Sequence, residues 1–284
     1  MSQADRTALR LRPAMGLPLL ASEISVLFRR RRTWAMLASL ALIPVLIAVA
    51  VKLSTGSSSG RGPAFLDQVS QNGLFVSFVG LLVSVPLFLP LTVGVVAGDT
   101  MAGEASAGTL RYLLIAPAGR VRLLLVKYLA TAVFCLAATL AVAIAGAVIG
   151  AALFPIGPVT LLSGDSIEVG DSIVRSLLIA AYITLSLLGL SAIGLFISTM
   201  TDVPVGAMAT TIVLSVVSQV LDSLPQLDWL HPWLFSHYWL GFADLLRQPI
   251  SWDSFGDNAI LQAGYILVFG ALAFGRFTTK DILS

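Results

Sequence analysis

Six stretches of this chain are long and apolar enough to cross a lipid bilayer, and they constrain the fold more than any motif does. A helix rises about 1.5 Å per residue through roughly 30 Å of hydrocarbon, so a span needs about 20 apolar residues. Stretches at Trp34–Leu53, Leu74–Ala97, Tyr128–Phe154, Ser176–Ile197, Val205–Leu221 and Asn258–Gly275 meet or approach that length. Apart from Lys52 at the end of the first, none contains Asp, Glu, Lys or Arg. Backbone polar groups in hydrocarbon must be satisfied internally, so these stretches read as helices, with Pro44, Pro86, Pro90 and Pro204 as kinks or boundaries. The expected fold is an all-α integral membrane bundle: residues 1–33 form a cytoplasmic N-terminal segment and residues 34–284 a six-span transmembrane domain. A composition of 57% hydrophobic and 11% charged residues excludes an ordinary soluble domain.

Orientation follows from where Lys and Arg fall, because cytoplasmic segments retain positive charge. With the N-terminus inside, the inner segments hold thirteen basic residues: seven before the first span, four in residues 98–127 and two after the sixth span. The outer segments hold only Lys52, Arg61, Arg175 and Arg247, and they collect most of the acids. Both termini are therefore expected inside. Ala48-Val49-Ala50 is a weak cleavage match, but the basic region before the first span exceeds thirty residues, too long for a signal peptide, so an uncleaved first span is expected. A formal charge of +2 gives no reason to expect a nucleic-acid partner.

The segments between the spans carry what specificity there is. Leu17, Leu20, Ile24, Leu27 and Phe28 recur at three- and four-residue spacing, with Glu23 and the run Arg29–Arg32 off that stripe, which predicts an amphipathic helix along the inner membrane surface. In residues 98–127, Gly98 to Gly103 fits the first half of a phosphate-binding loop, but Glu104-Ala105 stand where Lys and Ser or Thr are required, so no nucleotide site is expected. The same segment reads as a compact helical piece, with Glu104 placed to favour a helix N-terminus, Leu110, Leu113 and Leu114 on one face and Pro117-Ala118-Gly119 as a stop. Residues 198–204 read as a tight turn. Residues 222–257 carry eight aromatic rings, among them Trp229, Trp233, Tyr238, Trp239 and Trp252, and are expected as one or two short helices dipping into the outer leaflet. His231 and His237 lie six apart, not the i, i+4 spacing of a helical metal pair, and Cys135 is alone in an apolar run, so no metal site is expected.

Function classes narrow by what the spans lack. An ion-coupled carrier needs an ionisable group at membrane depth, and Asp99, Asp202 and Asp222 lie only at span ends, where they read as solvated caps. No paired carboxylates, His-Glu-x-x-His or Gly-x-Ser-x-Gly point to an embedded enzyme. Gly146 and Gly150, with Ala137, Ala138 and Ala141, suit close helix packing.

The order Glu104, Gly108-Thr109-Leu110, Pro117, Arg120 and Lys127 between the second and third spans resembles the membrane subunits of type-2 ABC exporters, the six-span branch that includes the permeases of nitrous oxide reductase maturation and of sodium efflux. The helix ending at Arg29–Arg32, the stretch His237-Tyr238-Trp239 and the tail Phe274–Ile282 add to the resemblance. It implies a permease of the bacterial plasma membrane, a homodimer or heterodimer with a second permease subunit, driven by two copies of a separate ATPase that uses ATP and magnesium. This chain would itself bind no cofactor and catalyse no reaction. It further implies that Glu104, Gly108, Thr109, Leu110, Arg111, Pro117 and Arg120 form the ATPase-coupling segment. Glu23, Leu27, Phe28, Arg29 and Arg30 would belong to the interface helix, and Trp233, His237, Tyr238 and Trp239 would line the outer exit. Arg111, Arg120 and Arg122 would meet lipid phosphate or acidic groups of the partner. The cargo is open: lipids, drugs, peptides and hydrophobic antibiotics all suit a path of Leu, Val, Ala and Phe. A membrane scaffold or assembly factor would explain the bundle and the amphipathic helix, but not the ordered pattern.

Overall fold

The computed structural model describes residues 16–54, 70, 72–108, 119–160 and 163–279. Helices α1 (Gly16–Arg29), α2 (Arg31–Ser54), α3 (Phe75–Ser84), α4 (Phe88–Ser106), α5 (Arg120–Leu153), α6 (Val169–Met200), α7 (Pro204–Asp222) and α8 (Asp253–Thr279) make up almost all of it. The one sheet among the described residues is a two-residue antiparallel pair, β1 (Val159–Thr160) with β2 (Ser166–Ile167), in which Val159 faces Ile167 and Thr160 faces Ser166. The protein is thus all-α. Helices α2, α5, α6, α7 and α8 are each long and apolar enough to cross a membrane, and α3 with α4 makes a sixth crossing if the bent pair is one span. This is a multi-pass membrane protein, and the six apolar stretches of the sequence correspond to these elements.

The observed helices overrun the expected spans, and one span breaks. Leu74–Ala97 is not a single rod: α3 and α4 meet at 57° across residues 85–87. The cause is local. Pro86 and Pro90 both lack an N–H, so neither the Leu82 carbonyl nor the Pro86 carbonyl receives its i→i−4 hydrogen bond, and two successive losses end the helix. Beyond the break α4 runs on to Ser106, so residues 98–106 continue the second span rather than starting a new helix. Glu104 accordingly sits in the last turn of α4, not at a helix N-terminus as its sequence context suggests. Gly108, with φ of +68°, ends that helix in the left-handed conformation that glycine adopts without penalty. The residues 198–204 expected as a tight turn are mostly helix, since α6 continues to Met200 and α7 begins with Pro204 in its first turn.

α6 is the central helix. It packs against α8, α4, α5 and α7, and its Ile179, Tyr182, Ile183, Leu187, Leu190 and Ile193 are fully buried. Around it α5 packs on α2 and α3, and α4 on α7. Small residues let backbones touch where α3 meets α5: a Cβ on Gly146 would stand 2.6 Å from the Ser77 Cα, and one on Gly150 would stand 1.9 Å from the Gly73 carbonyl oxygen. The four-residue glycine spacing in α5 is therefore a close-packing seam. Replacing Gly150 by Leu forces these backbones apart, and overpacking of this kind costs roughly 1–3 kcal/mol or more. We expect a clear fall in the unfolding temperature of detergent-purified Gly150→Leu. Gly170→Ala, which meets nothing within 4 Å near the start of α6, should leave the temperature unchanged or slightly raised.

Candidate functional site

The charges that the sequence sets beside the spans converge at one end of the bundle. α1 ends at Arg29, the chain turns at Arg30 and α2 starts at Arg31. The turn is held by the Thr33 hydroxyl donating to the Leu27 carbonyl at 2.6 Å and the Trp34 indole N–H donating to the Phe28 carbonyl at 2.7 Å. These bonds satisfy carbonyls that the end of α1 leaves orphaned. They also aim Arg30 and Arg32 at α4, where both guanidinium groups reach the Asp99 carboxylate, Arg30 at 2.9 Å. Asp99 is thus no solvated cap: its side chain is only 12% exposed and carries two arginines.

One turn and a half further along α4, Glu104 accepts a hydrogen bond from Lys127 of α5. Lys127 also reaches Glu23 of α1 at 3.4 Å. Its side chain is 3% exposed, so an ammonium sits in the interior between two carboxylates. Glu23 and Glu104 are themselves largely covered, which puts Glu23 on the inward side of α1 rather than off its apolar stripe. Leu27 and Phe28 pack against the main hydrophobic core beside it. Three acids (Glu23, Asp99, Glu104) and three bases (Arg30, Arg32, Lys127) balance, and a buried group of this kind persists only when paired and hydrogen-bonded. The cleft among them is about 40 Å³, room for a water or two and not for an organic ligand. The site is a lock between helices, joining α1, α4 and α5.

Of the residues expected to couple to a partner, Glu23, Arg30 and Glu104 therefore meet in one cluster, with Leu27 and Phe28 packed beside it. Arg29 is exposed at the end of α1. Thr109, Leu110, Arg111 and Pro117 lie outside the described residues. Arg120 has another occupation: it donates to the Phe277 and Thr278 carbonyls, at 3.3 and 2.7 Å, and so caps the C-terminal end of α8. Asp99, Arg32 and Lys127 were not singled out as site residues. In the sequence Lys127 is one basic residue among thirteen and the last member of the ordered pattern that follows Glu104, but nothing in its neighbours reveals which carboxylates fold onto it.

At the opposite end, the stretch expected as one or two short helices holds three 3-10 helices, Pro225–Leu227, His231–Trp233 and His237–Leu246, before α8 begins at Asp253. Trp229, Trp233 and Trp252 do present exposed rings, but Trp239 is buried, its indole N–H donating to the Ser186 carbonyl at 3.0 Å. Arg175, counted in the sequence as a loop charge, is 7% exposed and donates to the Leu245 carbonyl at 2.6 Å, the Arg247 carbonyl at 2.8 Å and the Gln248 side-chain oxygen. It closes the end of the longest 3-10 helix. His237 Nδ1 lies 2.6 Å from Asp222 Oδ1, so Asp222 too is a paired group rather than a free cap. The His231 and His237 rings stack at 5.9 Å, and among the described residues no three His, Cys, Asp or Glu side chains converge as a metal site requires.

Residues 41–283 match the family model described as "Protein of unknown function (DUF2705)". The chain belongs to the DUF2705 family. No curated protein matches it. The matched stretch of this DUF2705 protein takes in Asp99, Glu104 and Lys127, while Glu23 of α1, Arg30 of the turn and Arg32 of α2 precede it. Removing Lys127 strands two covered carboxylates, and breaking a buried pair costs roughly 3–5 kcal/mol. Lys127→Met should therefore unfold at a markedly lower temperature, and adding Glu104→Gln to it should restore part of the loss. A purely packing role for Lys127 predicts no such recovery.

Proposed function

We propose that this protein is the permease subunit of an ATP-driven transporter of the type-2 ABC exporter kind, with both termini in the cytoplasm of a bacterium and a separate ATPase supplying the energy. The observation that carries the reading is the Lys127 bridge between Glu23 and Glu104. The resemblance assigns ATPase docking to two separate segments, the N-terminal amphipathic helix and the segment that follows the second span. Lys127 ties α1 to the end of α4, so a force applied to either reaches the same pair of helices. α4 in turn packs along α6 and α7, which gives that force a route into the bundle. Movement of packed helices between two discrete arrangements is how such a push becomes a switch of access.

In this reading two ATPase copies dock on a pair of permease subunits, Arg30 and Arg32 hold the interface helix in register on Asp99, and the segment between Gly108 and Gly119 meets the partner. ATP and magnesium act in the partner alone. The same geometry would serve a membrane scaffold only if the partner were held without turnover, and the test separates the two.

The full chain is co-expressed with an ATPase encoded beside it, purified through a tag on this chain, and assayed for ATP hydrolysis in lipid nanodiscs. Wild-type protein should carry the ATPase through purification. Glu104→Lys, which sets two cations against each other beside Glu23, should reduce the hydrolysis rate at least about tenfold, a coupling change of some 1.4 kcal/mol, while still inserting in the membrane. Hydrolysis by the complex that ignores Glu104→Lys, or purification with no ATPase, would sink the transporter reading.

A further inference from the structure

A second feature lies at the aromatic end, away from the charge cluster. Between α8 and the 3-10 helix of His231–Trp233 runs a groove of about 660 Å³, within the range of sites for small organic molecules. Its floor is a stripe of α8 that starts at Asp257 and continues through Gly264 and Tyr265 to Phe269, about 18 Å along the helix axis. The Tyr265 and Phe269 rings stack in parallel at 5.9 Å, and the Tyr265 hydroxyl donates to the Trp233 carbonyl at 2.7 Å, fixing the wall to the floor. Tyr238 stands near enough to feel the Asp257 charge, and Trp233 lines the same groove.

The two ends of the groove have different chemistry. The stripe beyond Gly264 is apolar and suits a hydrocarbon tail. The head is aromatic and acidic. Residues 222–257 hold five aspartates against Arg247 alone. Four of the aspartates are engaged: Asp222 with His237, Asp228 beside His231, Asp244 with Arg247 and Ser254, and Asp253 with Ser251. Among the described residues Asp257 alone of the five has no hydrogen bond or ion pair, and it is exposed at the groove. A carboxylate beside Tyr and Trp faces is the recognition chemistry of an organic ammonium, which a ring attracts through its quadrupole. The surplus of carboxylates repels an anionic head.

We propose that this groove binds a cationic amphiphile, with a quaternary or protonated amine among Asp257, Trp233 and Tyr238 and an apolar tail along α8 to Phe269. The site is independent of the transporter reading, since occupancy requires no ATPase.

The test uses the full-length protein in phosphatidylcholine nanodiscs with two photoreactive probes. Both carry one diazirine-bearing alkyl tail, one headed by trimethylammonium and the other by maltoside, and cross-links are located by mass spectrometry. The ammonium probe should label residues 260–269 on the order of fivefold more than the neutral one, the worth of one exposed ion contact to the Asp257 carboxylate. Asp257→Asn, a change at an exposed side chain, should bring the two probes level. Gly264→Phe, whose Cβ meets nothing within 4 Å, fills the groove and should abolish labelling by both. Equal labelling of the wild type by both probes, or a cation preference that survives Asp257→Asn, makes the groove an ordinary lipid-facing surface and overturns the proposal. Undiminished labelling of Gly264→Phe places the probe outside the groove and overturns it equally.

Discussion

A break at hydrocarbon depth must be repaired from within the protein, because hydrocarbon offers no hydrogen bond to an orphaned backbone group. At the two ends of this bundle the helix termini are likewise met by side chains from elsewhere in the chain. Thr33 and Trp34 serve the end of α1, and Arg120 serves the end of α8 from the start of α5. Asn72 donates to the Gly157 and Pro158 carbonyls and accepts from the Leu74 amide, joining the entry of α3 to the segment after α5. Arg175 closes the 3-10 helix of His237–Leu246. In α4 the Ser198 hydroxyl donates to the Gly98 carbonyl and accepts from the Met101 and Ala102 amides, so a side chain of α6 is bonded directly to the backbone of α4. Helix ends that look independent in sequence are thus tied in pairs, and the bundle is held by these ties as well as by apolar packing.

The charge cluster obeys the same logic at higher cost. An isolated ammonium or carboxylate in the interior would neutralise or draw in water, yet Lys127 has two carboxylates and Asp99 two guanidinium groups, so the group as a whole carries no net charge. The two halves differ in strength. Arg30 and Arg32 are nearly half exposed, and their hold on Asp99 resembles a surface ion pair, worth roughly 0–1 kcal/mol. Lys127 is enclosed, so its pairs cannot be exchanged for water without opening α1 away from α5. The lock therefore has a firm centre and a yielding edge. A partner that competes for Arg30 and Arg32 disturbs the edge first.

What the sequence discloses and what it withholds follow from the range of the interactions concerned. Apolar length is a local property, so the spans, the amphipathic helix before them and the Gly146–Gly150 seam can all be read directly. Pro86 and Pro90 mark the broken span for the same reason. Glu104 is misread as a helix start because its neighbours in sequence do not include the residue that stabilises it: Lys127 lies 23 positions away and comes from another helix. A carboxylate in the last turn of a helix faces unsatisfied carbonyls, an unfavourable place that the lysine offsets. Trp239 and Arg175 fail in the same manner. Composition puts an indole at the lipid interface and an arginine in a loop, whereas a carbonyl 53 residues from Trp239 and two carbonyls 70 and 72 residues from Arg175 bury them.

The two ends of the bundle consequently differ in what they leave for a partner. At the end bearing α1 the clustered acids and bases neutralise one another, and among the described residues a basic rim of Arg29 to Arg32 remains exposed. In the proposed transporter such a rim would meet acidic groups of a partner, and its inner side is pinned through the Asp99 and Lys127 pairs. At the aromatic end the polar groups are mostly consumed in positioning short helices against α6 and α8, and Asp257 is the exception. A carboxylate with no hydrogen bond or ion pair, exposed at the groove, does little to hold the fold, so in the proposed site its replacement by a neutral amide changes recognition more than stability. This separates the ends experimentally as well: perturbing Lys127 alters how the helices hold together, whereas perturbing Asp257 alters chiefly what the finished bundle can attract.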